Sequence, residues 1–282
     1  MSRVAIVGAG DLGAAVAQAL AARDRVKTVT LIDTAAAVAA GKALDIRQSG
    51  AVEGFHCHVD ATSDFTAVIA ADVCIIADRF GPPAAEWQGE DALAMLGRLL
   101  PHASGAPVIF AGASQAELML RAARELGMRR DQLIGSAPEG FASAVRAIVA
   151  LEARSSPAEV MLSVLGAPPA FVVPWSEASI GGYAVERVLS QVQITRIDAR
   201  AAKLWPPGPY TLGVAAARAA EGVVTASRHT FSALTLLGGE FGVRNRIGAL
   251  PVLLSKQGIA DVRVPSLNTR ERVQIEIALG AP

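Results

Sequence analysis

The stretch Val4 to Gly13, VAIVGAGDLG, constrains this chain more than any other. An apolar, β-branched run breaks into Gly8, Gly10 and Gly13 and then opens into the alanine- and leucine-rich AAVAQALAA, which predicts a strand, a tight turn and a helix. In that order the glycines have a physical purpose. Gly8 permits the sharp turn, Gly10 lets backbone N–H groups approach a pyrophosphate, and Gly13 lets the helix pack closely on the strand. The helix N-terminus, with Asp11 and Leu12 in its first turn, then presents its partial positive charge to the phosphates. A second apolar run, VTLID, ends in Asp33, twenty residues after Gly13, where a carboxylate accepts from a ribose hydroxyl and repels a 2′-phosphate. The combination predicts a dinucleotide site that prefers NAD to NADP. Ala77, which closes the buried run ADVCIIA, completes the expected cofactor set of Gly8, Gly10, Asp11, Leu12, Gly13, Asp33 and Ala77.

Beyond Asp33 strand-like and helix-like runs alternate, which implies parallel strands joined by crossovers. AAAVAAGKALDIRQSGAV reads as helix up to its Ser-Gly pair, FHCHVDAT as a short strand, ADVCIIA and PVIFAGAS as buried strands, and 90–102 and 117–127 as helices. DRFGPPAAEWQGED reads as a loop. The character changes near Ala142, after which helices at 142–153, 185–192 and 212–226 are interspersed with short strands and glycine turns, and TRERVQIEIAL closes the chain as a helix. The expected class is α/β: a Rossmann-type doubly wound parallel sheet over 1–141, followed by an α+β domain of substrate type over 142–282.

Composition narrows the partners. Hydrophobic residues make up 52% of 282, yet no run of eighteen uncharged apolar residues occurs, so the apolarity is expected in a core and not in a membrane. Charge is balanced at 26 basic and 26 acidic residues with no basic, aromatic-interleaved cluster, which argues against nucleic acid. MSRV runs straight into the first strand and Asp11 interrupts any signal-like core, so a cytoplasmic protein is expected. His56, Cys57 and His58 are adjacent, but strand alternation puts the two histidines on one face and the cysteine on the other, which gives no metal-ligand set.

Taken together, VAIVGAGDLG, LID, GKALDI, ADVCIIA and the late run GGEFGVRNRIGALPVLLSKQGI resemble the lactate/malate dehydrogenase family over nearly the whole chain. The resemblance implies NAD(H) as cofactor, a small-molecule partner and assembly as a homodimer or homotetramer. It also implies a histidine base, an aspartate that orients it and arginines that hold a substrate carboxylate. At the matching positions stand Pro168 for the histidine, Ala142 for the aspartate and Val145 for the arginine. Arg146 is one place too late, a rotation of about 100° around a helix. The family's mobile loop has no arginine between Phe80 and Arg98, and Ala113 and Ser114 stand where an asparagine follows the strand.

No catalytic residue of the family is therefore matched. Loss of a general base alone costs roughly 10²–10⁴ in rate. The expectation is an NAD(H)-binding relative, nominally a 2-hydroxy-acid oxidoreductase, that has lost the reaction on lactate or malate and serves as a cofactor-dependent binding or partner protein. The alternative is an active NAD-dependent oxidoreductase on a different substrate, drawing on Glu139, Asp78 or Arg79 in the cleft. An ion pair between Asp78 and Arg79 is also expected, with His102 and His229 outside the cleft.

Overall fold

The computed structural model describes residues 2–81 and 85–280. The first half comprises β1 (Arg3–Val7), α1 (Asp11–Arg23), β2 (Thr28–Ile32), α2 (Ala36–Glu53), β3 (His58–Thr62), β4 (Val73–Ile76), the short pair β5 (Asp78–Arg79) and β6 (Ala85–Glu86), α3 (Gly89–Leu99), β7 (Val108–Phe110), α4 (Ala116–Glu125) and β8 (Leu133–Gly135). The parallel strands lie in the order β3-β2-β1-β4-β7-β8. That order reverses beside β1, and Val7 is level with both Ile32 and Ile76, so the turn after β1 opens at the carboxyl edge of the sheet where ligands of such folds gather.

Alternation along the strands divides the core. Val4 and Ile6 face α1, α2 and a late helix, whereas Ala5 and Val7 face α3 and α4. Gly13 lies so close to the strand that a Cβ there would sit 2.0 Å from the Gly8 carbonyl oxygen. The Ser-Gly pair does not end α2, which runs through it to Glu53. Gly50 serves packing instead: the Phe55 ring rests against its Cα, 3.0 Å from where a Cβ would stand. His56 and His58 are exposed while Cys57 is buried, as strand alternation predicts.

The second half adds α5 (Ala137–Ala153), β9 (Val160–Met161), β10 (Leu165–Ala167), β11 (Ala170–Val172), β12 (Ser179–Ile180), β13 (Tyr183–Ala184), α6 (Val185–Val188), α7 (Gln191–Ala201), α8 (Pro209–Thr225), β14 (Thr230–Gly238), β15 (Arg244–Ser255), β16 (Gly258–Val262) and α9 (Thr269–Ala278). The single helix expected over 185–192 is two, because Ser190 breaks the chain and caps α7 through a reciprocal bond pair with Gln193. The main sheet continues without interruption: β14 pairs antiparallel with β8 at Leu234 and Gly135, then β15 and β10 follow. The expected division between 141 and 142 falls inside α5.

Burial also sets the thiol chemistry. Desolvation, with Asp24 adding repulsion, pushes the Cys57 thiol up to about 11, and desolvation pushes Cys74 up to about 12. At pH 8 the thiolate fraction is then about one in a thousand or less. Neither cysteine is expected to react with a thiol-specific disulfide reagent in the folded protein, and both react after denaturation. Rapid labelling of the native protein would show that this part of the core opens.

Candidate functional site

The seven expected cofactor residues converge at the carboxyl ends of β1, β2 and β4. Gly8 turns the chain with φ +111°, and Gly10 precedes α1 without offering any side chain to cap it. The first-turn N–H groups of α1 therefore need outside acceptors. Asp78 supplies them: Oδ2 accepts from Leu12 N at 3.1 Å and Oδ1 from Gly13 N at 2.8 Å. The carboxylate lies against the loop backbone, 2.2 Å from where a Gly10 Cβ would be. Asp78 is buried, and desolvation raises its pKa although the Gly13 and Leu12 N–H groups and Lys42 all favour the anion. Lys42 donates to the Gly10 carbonyl at 2.9 Å and stands 3.7 Å from exposed Asp11.

Asp33 is also buried, with three backbone donors on its carboxylate: Ala9 N at 2.8 Å and Phe80 N at 3.2 Å on Oδ2, and Ala35 N at 2.9 Å on Oδ1. It thereby ties the end of β2 to the glycine turn. Ala77 bridges β4 to the neighbouring loops, its N–H bonded to Val7 O at 3.0 Å and its carbonyl accepting from Trp87 N at 3.2 Å and Gln115 Nε2 at 3.1 Å.

The described residues of the loop after β4 are held by specific hydrogen bonds. β5 and β6 form a small antiparallel pair with Asp78 opposite Glu86. Glu86 accepts from Ala113 N at 2.9 Å and Ser114 N at 2.7 Å, and fully buried Gln115 joins Gly112 N to Trp87 O. The expected Asp78–Arg79 ion pair is absent. Arg79 turns outward to Asp91 at 3.6 Å and lies over the Trp87 ring at 4.9 Å, because successive strand residues point to opposite sides. Asp78, Glu86 and Gln115 had only one sequence signal, their place after strands at the ligand-binding edge of the sheet. Pro82, Pro83 and Ala84 in this loop lie outside the described residues.

The positions that the resemblance assigns to the substrate groups are occupied by apolar residues. Ala142 and Val145 have no exposed surface and pack with Phe141, Val164, Val173 and Val185. Pro168 is half-buried in the turn between β10 and β11. Phe171 stacks near Phe141 at 5.2 Å and Trp205 at 4.7 Å between ring centres. Next to this group a cavity of about 530 Å³ opens between β11, α7 and α9, walled by Phe141, Phe171, Trp175 and Trp205 with Asp198 and Glu271 among its acids. Asp198 accepts from Trp175 Nε1 at 2.9 Å, and burial raises its pKa.

Glu139 does not enter the cleft as a free carboxylate. It pairs with Arg146 and accepts from Ser232 N at 2.9 Å, joining α5 to β14. Burial raises its pKa against the pull of Arg146. His102 is half-buried and His229 exposed.

Residues 2–82 match the model of the lactate/malate dehydrogenase NAD binding domain. Over its length the chain is similar to a malate dehydrogenase of Salinibacter ruber, 26% identical across 99% of this chain and 94% of the relative. The solved structure of a malate dehydrogenase from that organism superposes with a TM-score of 0.86 at 24% identity, covering 99% of this chain and 94% of that one. The chain is similar to the lactate/malate dehydrogenase family, in its first 82 residues by the domain match and over its length in fold. A lactate dehydrogenase from a Medee basin deep-sea metagenome library shares the fold, with a TM-score of 0.86 at 18% identity over 99% and 96% of the two chains. These relatives of the lactate/malate dehydrogenase type are named as enzymes, and nothing in the comparisons supports the expectation of a lost reaction. Among the described residues no helix is long and apolar enough to cross a membrane.

NAD is the cofactor that the family and the matched domain indicate. The residues fit it in kind and place: a side-chain-free turn, an uncapped helix N-terminus and an acid ending β2. One group does not fit. The space over Gly10 that the turn leaves for phosphate holds the Asp78 carboxylate.

Proposed function

We propose that this protein is an NAD(H)-dependent oxidoreductase acting on the CH–OH or carbonyl group of a substrate other than lactate or malate. What supports the proposal is the aromatic-walled cavity of about 530 Å³, lined by Phe141 and Pro169 next to positions that the family resemblance assigns to the substrate carboxylate and the base. With Ala142, Val145 and Pro168 there, a small 2-oxo acid finds no cation for its carboxylate, and its desolvation is uncompensated. The aromatic wall of Phe141, Phe171, Trp175 and Trp205 suits a bulkier, uncharged group instead. Gly8, Gly10, Asp11, Leu12, Gly13, Asp33 and Ala77 are proposed to hold the cofactor, in a first half running to about residue 141. We place the protein in the cytoplasm as a homodimer or homotetramer. Light scattering of the purified protein checks the stoichiometry.

A second reading, cofactor binding without turnover, is favoured by the complete burial of Ala142 and Val145 in an apolar cluster. One experiment separates the two. NADH binding is followed by fluorescence, and NADH oxidation is then tested with pyruvate, oxaloacetate and a series of aromatic and branched ketones and aldehydes. The expected result is NADH binding, with oxidation by an apolar carbonyl compound and none by pyruvate or oxaloacetate. Turnover of either 2-oxo acid at ordinary dehydrogenase rates overturns the proposal. Binding with no oxidation across the panel favours the second reading.

A further inference from the structure

We propose that Asp78 is a resident competitor for the cofactor: its carboxylate occupies the anion seat at the start of α1, and a dinucleotide binds only after this side chain has left it. The inference rests on the NAD reading of the glycine turn. Two N–H groups of the first turn, on Leu12 and Gly13, are taken by the two Asp78 oxygens, and the carboxylate fills the gap above Gly10. A helix N-terminus favours any anion, and an acceptor tethered 65 residues away in the sequence but folded onto it acts at high effective concentration. An incoming pyrophosphate needs the same donors and the same space. Its apparent affinity is therefore reduced by the fraction of molecules in which the seat is open.

The surroundings allow the side chain to leave without unfolding the loop. The Asp78 main chain is held separately, its carbonyl accepting from Gly10 N at 3.1 Å and its residue pairing with Glu86. Glu86 in turn is fastened to Ala113 and Ser114 N–H groups. Among the described residues, the hydrogen bonds that rotation of the Asp78 side chain breaks are those to α1.

The charged groups packed around Asp78 set the direction of a pH effect. Lys42 of α2 stabilises the anion and Asp11 of α1 opposes it, while Asp33 is engaged by three N–H groups, Glu86 by two, and Arg79 faces Asp91. Burial of Asp78 raises its pKa. Once protonated, it complements the positive helix end less well, so NADH affinity rises as the pH falls toward the range in which Asp78 takes up a proton.

The test measures NADH and inorganic pyrophosphate binding to the full-length protein and to D78A and D78N, by fluorescence and calorimetry, between mildly acidic and neutral pH. D78N keeps the shape and one acceptor while losing the charge, and it guards against a folding defect in D78A. The expected result is tenfold or more tighter NADH binding by D78A, an intermediate gain by D78N, a parallel gain in pyrophosphate binding, and loss of the pH dependence in both variants. A gain for pyrophosphate with no NADH binding by any form supports the role of Asp78 and removes the NAD reading instead. Unchanged binding of both probes in both variants overturns the inference, whether or not the native protein binds NADH.

Discussion

Replacing Gly13 with valine is expected to destabilise the protein by about 3 kcal/mol or more and to abolish NADH binding. A Cβ at this position lies 2.0 Å from the Gly8 carbonyl oxygen, a backbone atom that cannot rotate away. Accommodation requires α1 to lift from β1, which also displaces the Leu12 and Gly13 N–H groups from Asp78. Helix α8 is packed on the far side of α1, where a Cβ on Gly213 would meet the Ala15 Cβ at 2.7 Å, so the lift has nowhere to go without disturbing a second helix. Urea unfolding of Gly13→Val against the native protein measures the loss. A variant with an unchanged midpoint and intact NADH affinity would show that the close approach of strand and helix is not needed.

Introducing the family's arginine by Val145→Arg is expected to be still more disruptive, about 4 kcal/mol or more, and not to restore turnover of pyruvate or oxaloacetate. Val145 has no exposed surface and lies among Phe141, Ala142, Ile148 and Val149 of its own helix and Val164 and Val185 from elsewhere. A guanidinium placed there is overpacked and has no partner, since Glu139 is already committed to Arg146 and Ser232. Thermal unfolding and assay of Val145→Arg on the same 2-oxo acids provide the check. A stable variant that oxidises NADH with either acid would mean that position 145 opens into a working substrate cleft, and the apolar reading of this position would fall.

The two groups of positions differ in how far they were legible. The glycine turn and Asp33 belong to one short stretch and its following strand, and the geometry they need is local: a left-handed Gly8, a close Gly13 and an acid at a strand end. Such features are written in neighbouring residues, so the strand–turn–helix and the α/β class followed from the order of residues. The expectation that Ala142, Val145 and Pro168 stand in place of the family's polar groups came from the resemblance. Its consequence was not legible, because absence of a histidine does not say whether a cleft, a core or a different pocket replaces it.

Elsewhere, adjacency misled. Asp78 next to Arg79 suggested an ion pair, and Ser49-Gly50 suggested a helix end. The strand sends Asp78 and Arg79 to opposite sides, and Phe55 claims the space beside Gly50. Glu139 finds Ser232, 93 residues on, and Asp78 finds Gly13, 65 residues back. The sequence by itself determined the nucleotide fold, because the strand, glycine turn and helix that define it depend on residue type at short range. Tertiary structure alone decided which acceptor satisfies the N-terminus of α1, since an unpaired backbone donor takes whichever carboxylate the folded sheet brings within reach.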